Sequence, residues 1–144
     1  MPPNEYTITT DKRCLDLTAI HAYLSQTYWS PGVPMAVVEK SIANSLAFGI
    51  LHGKEQVGFA RVVTDKATFA YLADVYVLEA HRGKGLSKRL LAEIQSHEEL
   101  QGLRRFLLAT KDAHGLYAQF GFSELANPSR MMERRNPDAY SQAL

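Results

Sequence analysis

The sequence predicts a mixed α+β fold, with helices on the faces of a largely antiparallel sheet. Apolar residues recur with a helical period in several stretches and form strand-like runs in others. In the middle of the chain, three strand-like runs follow one another with only turn residues between them. Because strands joined by short turns pair antiparallel, these three runs predict an antiparallel core of the sheet.

The first part of the chain is predicted to form one strand and two helices. Residues 6–9 are expected to form a short strand. A helix is expected over 16–26, with Asp16 as its N-cap and an apolar face of Leu17, Ile20 and Leu24. The Pro- and Gly-rich segment 30–34 ends this helix. The spacing of Met35, Val38 and Ile42 predicts a second helix to about residue 45.

The remaining elements are predicted from changes in the spacing of the apolar residues. Strands are predicted over 46–51, 57–63 and 69–78, with turns at 52–55 and 64–66. A helix is predicted from residue 86 to residue 100, because Leu86, Leu90, Leu91 and Ile94 form one stripe. A strand over 105–110, a short helix over 113–119 and strands over 122–125 and 130–133 complete the order β-α-α-β-β-β-α-β-α-β-β.

Length and composition favour one small domain spanning residues 1–144, with a core of about 5–134 and a tail over 136–144. Sixteen Lys and Arg against fifteen Asp and Glu leave a net charge of +1, which argues against a nucleic-acid-binding protein.

The single cysteine, Cys14, excludes an internal disulfide. No apolar run is long enough for a membrane span and no signal pattern opens the chain, so a cytoplasmic protein is expected.

The segment 82–89 carries the strongest functional signal. It has the sequence Arg-Gly-Lys-Gly-Leu-Ser-Lys-Arg and lies between a predicted strand and a predicted helix. A glycine turn that opens a helix leaves backbone N–H groups free at the positive end of the helix dipole. Together with four cationic side chains, this arrangement predicts a phosphate-binding loop.

Two common phosphate-binding motifs do not fit this loop. A dinucleotide-binding fold needs a third glycine where the chain has Lys88, and its strands would be joined by helices. A P-loop needs Gly, four residues and then Gly-Lys-Ser/Thr, which the chain does not contain.

The loop resembles the pyrophosphate loop of the GNAT superfamily of acyl-CoA N-acyltransferases, whose pattern is Gln/Arg-x-x-Gly-x-Gly/Ala. Residues 82–87 match its first five places, and Ser87 stands where the family has Gly or Ala. Residues 116–122 are similar to the family's Leu-Tyr-x-x-x-Gly-Phe signature. The resemblance covers about residues 5–134 and implies a GNAT-type sheet that is splayed between strands 4 and 5.

This resemblance implies that acetyl-CoA is the cofactor. The pantetheine arm is expected along the backbone of Val75 and Val77, and Thr110 and Ala113 match cofactor-contacting positions after strand 5, although many relatives carry Asn in place of Thr110. The pyrophosphate is then expected to bind at the loop residues Arg82, Gly83, Lys84, Gly85, Leu86, Ser87 and Lys88.

Acetyl transfer to an amine needs one proton removed from the amine and one delivered to the departing sulfur. Tyr117, by its place in the second motif, is the candidate acid. Asp74 is the candidate base; the alternatives are that Asp74 is a structural residue paired with Arg61, and that a water chain removes the proton. Tyr28, Trp29, Arg61 and Tyr71 are candidates for the acceptor pocket.

The function expected from the resemblance is an acetyltransferase that acts by direct attack of a small-molecule primary amine in a ternary complex. A protein or peptide amine as acceptor and a non-catalytic acyl-CoA sensor remain alternatives. No histidine spacing suggests a metal, and no nucleic-acid or membrane partner is expected. The tail over 136–144 leaves open whether the chain forms a homodimer.

Overall fold

The structure is a computed structural model that describes residues 5–140. The chain divides into two compact units, Met1–Ala109 and Thr110–Leu144, which are treated in turn. The final part of the expected tail, residues 141–144, lies outside the described residues. Among the described residues, no helix is long and apolar enough to cross a membrane.

The first unit is built on a five-stranded mixed sheet in the order β1-β2-β3-β4-β5. Strands β1 to β4 pair antiparallel, and β5 pairs parallel to β4. This arrangement confirms the predicted fold class. The strands are β1 (Tyr6–Thr9), β2 (Leu46–His52), β3 (Glu55–Thr64), β4 (Phe69–Val77) and β5 (Arg105–Leu108).

Three α-helices accompany this sheet: α1 (Leu17–Leu24), α2 (Met35–Ala43) and α3 (Leu86–Ser96). Asp16 caps α1 as predicted, since its side chain accepts a hydrogen bond from the Ala19 N–H at 3.0 Å. The predicted third helix ends at Ser96 and not at residue 100, because the chain turns at His97 into a separate 3₁₀ turn, Glu98–Leu100. Helix α3 packs on β2 and β4 through its predicted apolar stripe, and all four residues of that stripe are buried.

Strand β4 extends well beyond its pairing with β5. The parallel register runs from Phe69↔Arg105 to Leu72↔Leu108 and stops there, whereas β4 continues to Val77. Among the described residues of the first unit, the last five residues of β4, 73–77, therefore have no strand beside them on the β5 side. This gap is the separation of strands 4 and 5 that the resemblance implies.

The second unit contains a short helix, α4 (His114–Ala118), and a 3₁₀ turn at Pro128–Arg130. The two strands predicted over 122–125 and 130–133 are wrong, because neither segment is a strand in the described chain. The Phe122 N–H bonds to the Tyr117 carbonyl at the end of α4, and the Met131 N–H bonds to the Pro128 carbonyl. These backbone donors serve local turns and no strand ladder, and Pro128 has no N–H to offer.

Candidate functional site

The loop 82–88 connects β4 to α3 by way of a 3₁₀ turn, Glu79–His81. Helix α3 begins after Gly85, whose φ of 76° is left-handed, and no side chain caps this end. The first main-chain bond of the helix joins the Arg89 N–H to the Gly85 carbonyl at 3.1 Å. The N–H groups of the preceding helical residues, 86–88, therefore lie at the positive end of the helix dipole without a carbonyl one turn earlier.

The two glycines of the loop leave space that a larger residue would reduce. Gly83 has a φ of 78°, and a Cβ atom placed at Gly83 or Gly85 would meet no atom within 4 Å. Packing against neighbouring atoms therefore does not require glycine at these two positions. The left-handed backbone conformation does favour it. Open space beside a left-handed turn and a helix N-terminus is the shape that a phosphate group needs to approach the main chain.

The charges around the loop remain available for an anion. Among residues 5–140, no carboxylate lies within ion-pair distance of Arg82, Lys84 or Lys88. The Arg82 side chain is already partly committed, because its Nε–H donates to the Val77 carbonyl at 2.8 Å and one terminal nitrogen donates to the Tyr23 hydroxyl at 3.1 Å. Among the described residues Lys84 and Lys88 form no such hydrogen bond, so their charges are the less committed ones for a phosphate.

Tyr23 is a residue that the sequence analysis missed. Its ring stacks on Tyr76 of β4, with centroids 3.9 Å apart and planes 11° from parallel, and its hydroxyl accepts from Arg82. Burial raises the pKa of Tyr76, with the nearby Tyr23 as the next largest cause. The stack connects α1, β4 and the loop, and only the long-range fold brings Tyr23 and Tyr76 together.

Asp74 lies at a bulge in β4. The register shifts from Phe59↔Tyr76 to Arg61↔Ala73, so β4 has an extra residue at Asp74 and Val75. Asp74 has a φ of 57°, a left-handed conformation that Asp tolerates better than most residues. The bulge changes which way the Asp74 side chain points relative to a regular strand.

The Asp74 carboxylate brings together two of the predicted acceptor residues. Its Oδ2 accepts from Arg61 Nε at 2.9 Å, and its Oδ1 accepts from Trp29 Nε1 at 2.9 Å. A terminal nitrogen of Arg61 also donates to the Ser45 hydroxyl at 3.2 Å. The Asp74 and Arg61 side chains are only 11% and 18% exposed, so their ion pair is largely shielded from water. The pairing of Asp74 with Arg61, which the sequence left as one alternative, is present.

The other two predicted acceptor residues differ in their position. Tyr28 contacts Trp29 edge-to-face, with ring centroids 5.1 Å apart, and both rings are exposed. Tyr71 is half-buried on β4, and within the described chain no hydrogen bond or ring contact joins it to Asp74, Arg61 or Trp29. The structure thus places Trp29 and Arg61 on one carboxylate, with Tyr28 against the Trp29 ring.

The remaining predicted residues lie in the second unit. The Thr110 hydroxyl accepts from the Ala113 N–H at 3.1 Å, which fixes the turn that leads into α4. Tyr117 is half-buried on α4 and contacts Phe122 edge-to-face with centroids 6.1 Å apart. Its carbonyl accepts from the Phe120 N–H at 2.9 Å and from the Phe122 N–H at 3.2 Å, so the second motif closes the end of this helix.

Comparison with protein families identifies the chain. The model of the acetyltransferase (GNAT) domain matches residues 43–124, which include the loop, the Asp74 bulge and Tyr117. The chain belongs to the GNAT acetyltransferase family.

Two proteins resemble this chain over most of its length. A provisionally named acetyltransferase of Gibberella zeae is 32% identical over 138 residues, covering 80% of this chain and 77% of that protein. The crystal structure of a GNAT-family protein of Xanthomonas campestris pv. campestris, also provisionally described as an acetyltransferase, is 51% identical. It has a TM-score of 0.92 and covers 94% of this chain and 96% of its own.

A more distant crystal structure, solved with acetyl-CoA, shows the same fold. It is that of a Clostridium acetobutylicum protein provisionally described as an acetyltransferase, with a TM-score of 0.65 at 14% identity. The alignment covers 90% of this chain and 94% of that chain. At this level of identity the likeness concerns the fold alone.

Proposed function

We propose that this GNAT protein transfers the acetyl group of acetyl-CoA to a primary amine of a small molecule, by direct attack in a ternary complex. The observation that carries the proposal is the loop 82–88, where two left-handed glycines beside open space meet a helix N-terminus. Two lysines of this loop, Lys84 and Lys88, have no ion-pair partner among residues 5–140. These features fit a pyrophosphate, since backbone N–H groups and cations stabilise it together.

Residues of the first unit are proposed to hold the cofactor. The pyrophosphate would bind the main chain of 83–88 with Lys84 and Lys88, while Arg82 holds the loop against Val77 and Tyr23. The pantetheine arm carries amide groups, and β4 beyond Leu72 has no strand beside it on the β5 side in this unit. The backbone of Val75 and Val77 can therefore pair with that arm as with an added strand. Acetyl-CoA supplies the activated acetyl thioester when it is bound.

Asp74 is proposed to receive the proton of the acceptor amine, directly or through water. Each oxygen of a carboxylate can accept two hydrogen bonds, and each oxygen of Asp74 accepts one from a protein donor. The carboxylate therefore keeps acceptor capacity for an ammonium group. Arg61 and Trp29 hold it in one orientation, and the exposed rings of Trp29 and Tyr28 offer an apolar wall beside it.

Tyr117 is proposed as the acid that returns a proton to the departing sulfur. A phenol is neutral at pH 7 and can donate that proton. Support comes from its position in the Leu-Tyr-x-x-x-Gly-Phe signature of the matched domain. Thr110 and Ala113 are proposed as cofactor contacts because they stand at positions that match the family's Asn and its small residue in the next turn.

A thiol-release assay tests this function. Acetyl-CoA is incubated with the full chain and a panel of small primary amines, free CoA is measured with a thiol reagent, and the N-acetyl product is identified by mass. We expect release that depends on one class of amine, with product formed in equal amount. Acetyl-CoA binding without release for small amines, peptides or proteins would favour the non-catalytic sensor, and release only with peptides would move the acceptor to that class.

A further inference from the structure

Three side chains of metal-ligating type meet beside the turn between β2 and β3. His52 ends β2, Glu55 begins β3, and His81 ends the 3₁₀ turn before the loop 82–88. One ligand atom from each residue lies within 4.8 Å of the other two. In the sequence these histidines are far apart and unrelated in spacing, which is why the sequence analysis expected no metal.

The carboxylates here are close to the imidazoles without forming short ion pairs. His81 Nε2 lies 3.9 Å from Glu55 Oε1, and His52 Nε2 lies 3.5 Å from Glu5 Oε2. Charge-assisted hydrogen bonds between such groups are normally about 2.8 Å long. The His52, Glu55 and His81 side chains therefore surround a common space without a short ion pair between them, and Glu5 lies beside His52.

Tyr6 contacts both imidazoles and fixes their orientation. Its hydroxyl is 2.9 Å from His81 Nδ1, and its buried ring stacks on His52 with centroids 4.8 Å apart. When Nδ1 donates its proton to the hydroxyl, the Nε2 lone pair of His81 is free on the side of Glu55. An outer hydrogen bond of this kind fixes the tautomer and orientation of a metal-ligating histidine.

We propose that His52, Glu55 and His81 bind a divalent transition metal of the zinc class, with Glu5 as the fourth donor. Imidazole and carboxylate donors suit zinc, and bonds of 2.0–2.1 Å in a tetrahedral site set ligand atoms about 3.4 Å apart. Glu55 and Glu5 are 64% and 44% exposed, so both side chains can move the short distance that this geometry needs. The side chains of His52 and His81 are only 23% and 16% exposed, so they are the less mobile ligands of the site.

The bound metal would link the β2–β3 turn to the residue that precedes Arg82. Its effect on the protein is therefore a cross-link at the base of the loop 82–88, and it does not depend on the proposed acetyl transfer. Because a ligand that binds only the folded state stabilises it, zinc should raise the melting temperature.

Zinc titration of the full chain tests the site. The protein is treated with a chelator, dialysed and titrated with zinc chloride by calorimetry, with the melting temperature measured in parallel. We expect one site with a micromolar or tighter dissociation constant and an upward shift in melting temperature. His81→Gln and His52→Gln should each weaken zinc binding at least tenfold, whereas His114→Gln and Cys14→Ser, which remove other metal-binding groups, should not.

Tyr6→Phe separates orientation from folding. This variant keeps the aromatic ring against His52 and removes only the hydroxyl that faces His81, so we expect zinc affinity to fall about 10- to 100-fold while the circular dichroism spectrum is unchanged. The proposal is overturned if zinc binds no tighter than about 100 μM to the wild type. It is equally overturned if the folded His52 and His81 variants bind zinc as the wild type does.

Discussion

Arg61 and Asp74 form an ion pair across neighbouring antiparallel strands, with Nε and Oδ2 2.9 Å apart. Asp74 stands at the bulge of β4 in a left-handed conformation, and Arg61 is the β3 residue at which the register resumes. The pair therefore holds the irregular part of β4 against β3. It also fixes the carboxylate that we propose as the proton acceptor.

Removal of the Arg61 guanidinium should destabilise the fold. Arg61→Met leaves the largely buried Asp74 carboxylate without its cation, and the side-chain donor that remains among residues 5–140 is the Trp29 indole. We therefore expect the free energy of unfolding to fall by about 3 kcal/mol. Urea denaturation measures this change. Arg13→Met is the matched control, because Arg13 pairs with Asp11 at the same 2.9 Å but is 90% exposed. An equally small effect of both substitutions would show that the Arg61 pair does not stabilise the bulge.

Asp74→Asn should impair catalysis more than folding. Asparagine has about the same size and tolerates the left-handed conformation, but its single oxygen can accept from only one of Arg61 and Trp29. Some loss of stability is therefore expected, and beyond that asparagine cannot take a proton from an amine. We expect kcat/KM for the amine to fall about 10²- to 10⁴-fold while the dissociation constant for acetyl-CoA stays the same. Steady-state kinetics and calorimetry measure the two quantities. Unchanged kcat/KM in a folded variant would assign Asp74 a structural role and leave the proton to a water chain.

Tyr117→Phe should slow turnover without weakening cofactor binding. The substitution removes one hydroxyl, which we propose as the proton donor to sulfur, and keeps the ring that contacts Phe122. We expect kcat to fall at least about 100-fold. Tyr140→Phe, another tyrosine of the second unit, should retain full activity. If the Tyr117 variant turned over at the wild-type rate, another group would have to protonate the sulfur.

Tyr76 should make the fold sensitive to alkaline pH. Burial raises the pKa of Tyr76 above its ordinary value of 10.0, so the folded chain holds this proton more tightly than the unfolded chain. Its contribution to stability is present below pH 10 and is lost as the pH rises further, with a slope of up to about 1.4 kcal/mol per pH unit. Urea denaturation at several pH values above 10 should give a shallower decline for Tyr76→Phe than for the wild type. Parallel declines would mean that Tyr76 is not protected from ionisation in the folded chain.

Local patterns predicted most of the first unit. The bounds of α1 and α2 follow from their apolar period and from the Asp16 cap, and the strands follow from hydrophobic runs between turn residues. The two final strands were predicted wrongly because 122–125 and 130–133 resemble strands in composition. Their backbone groups instead complete turns around α4 and Pro128, which composition does not reveal.

The parts of the candidate site that lie within one continuous sequence motif, such as the loop 82–88, could be predicted from the sequence. Contacts between distant segments were harder. The pairing of Arg61 with Asp74 was available as an alternative, because both residues are charged groups in apolar strands that had to be satisfied. The bond from Trp29 to Asp74, the stack of Tyr23 on Tyr76 and the meeting of His52 with His81 depend on the tertiary fold.

The central claim is that the loop 82–88 binds the pyrophosphate of acetyl-CoA, and a calorimetric comparison of acetyl-CoA with acetyl-pantetheine tests it most directly. Acetyl-pantetheine keeps the thioester and the amide arm but has no pyrophosphate. We expect Gly83→Ala to weaken acetyl-CoA binding at least tenfold and to leave acetyl-pantetheine binding unchanged. Gly102→Ala imposes the same left-handed strain, with φ of 72° against 78° at Gly83, and should affect neither ligand. Equal binding of acetyl-CoA to the wild type and to the folded Gly83 variant would contradict the claim.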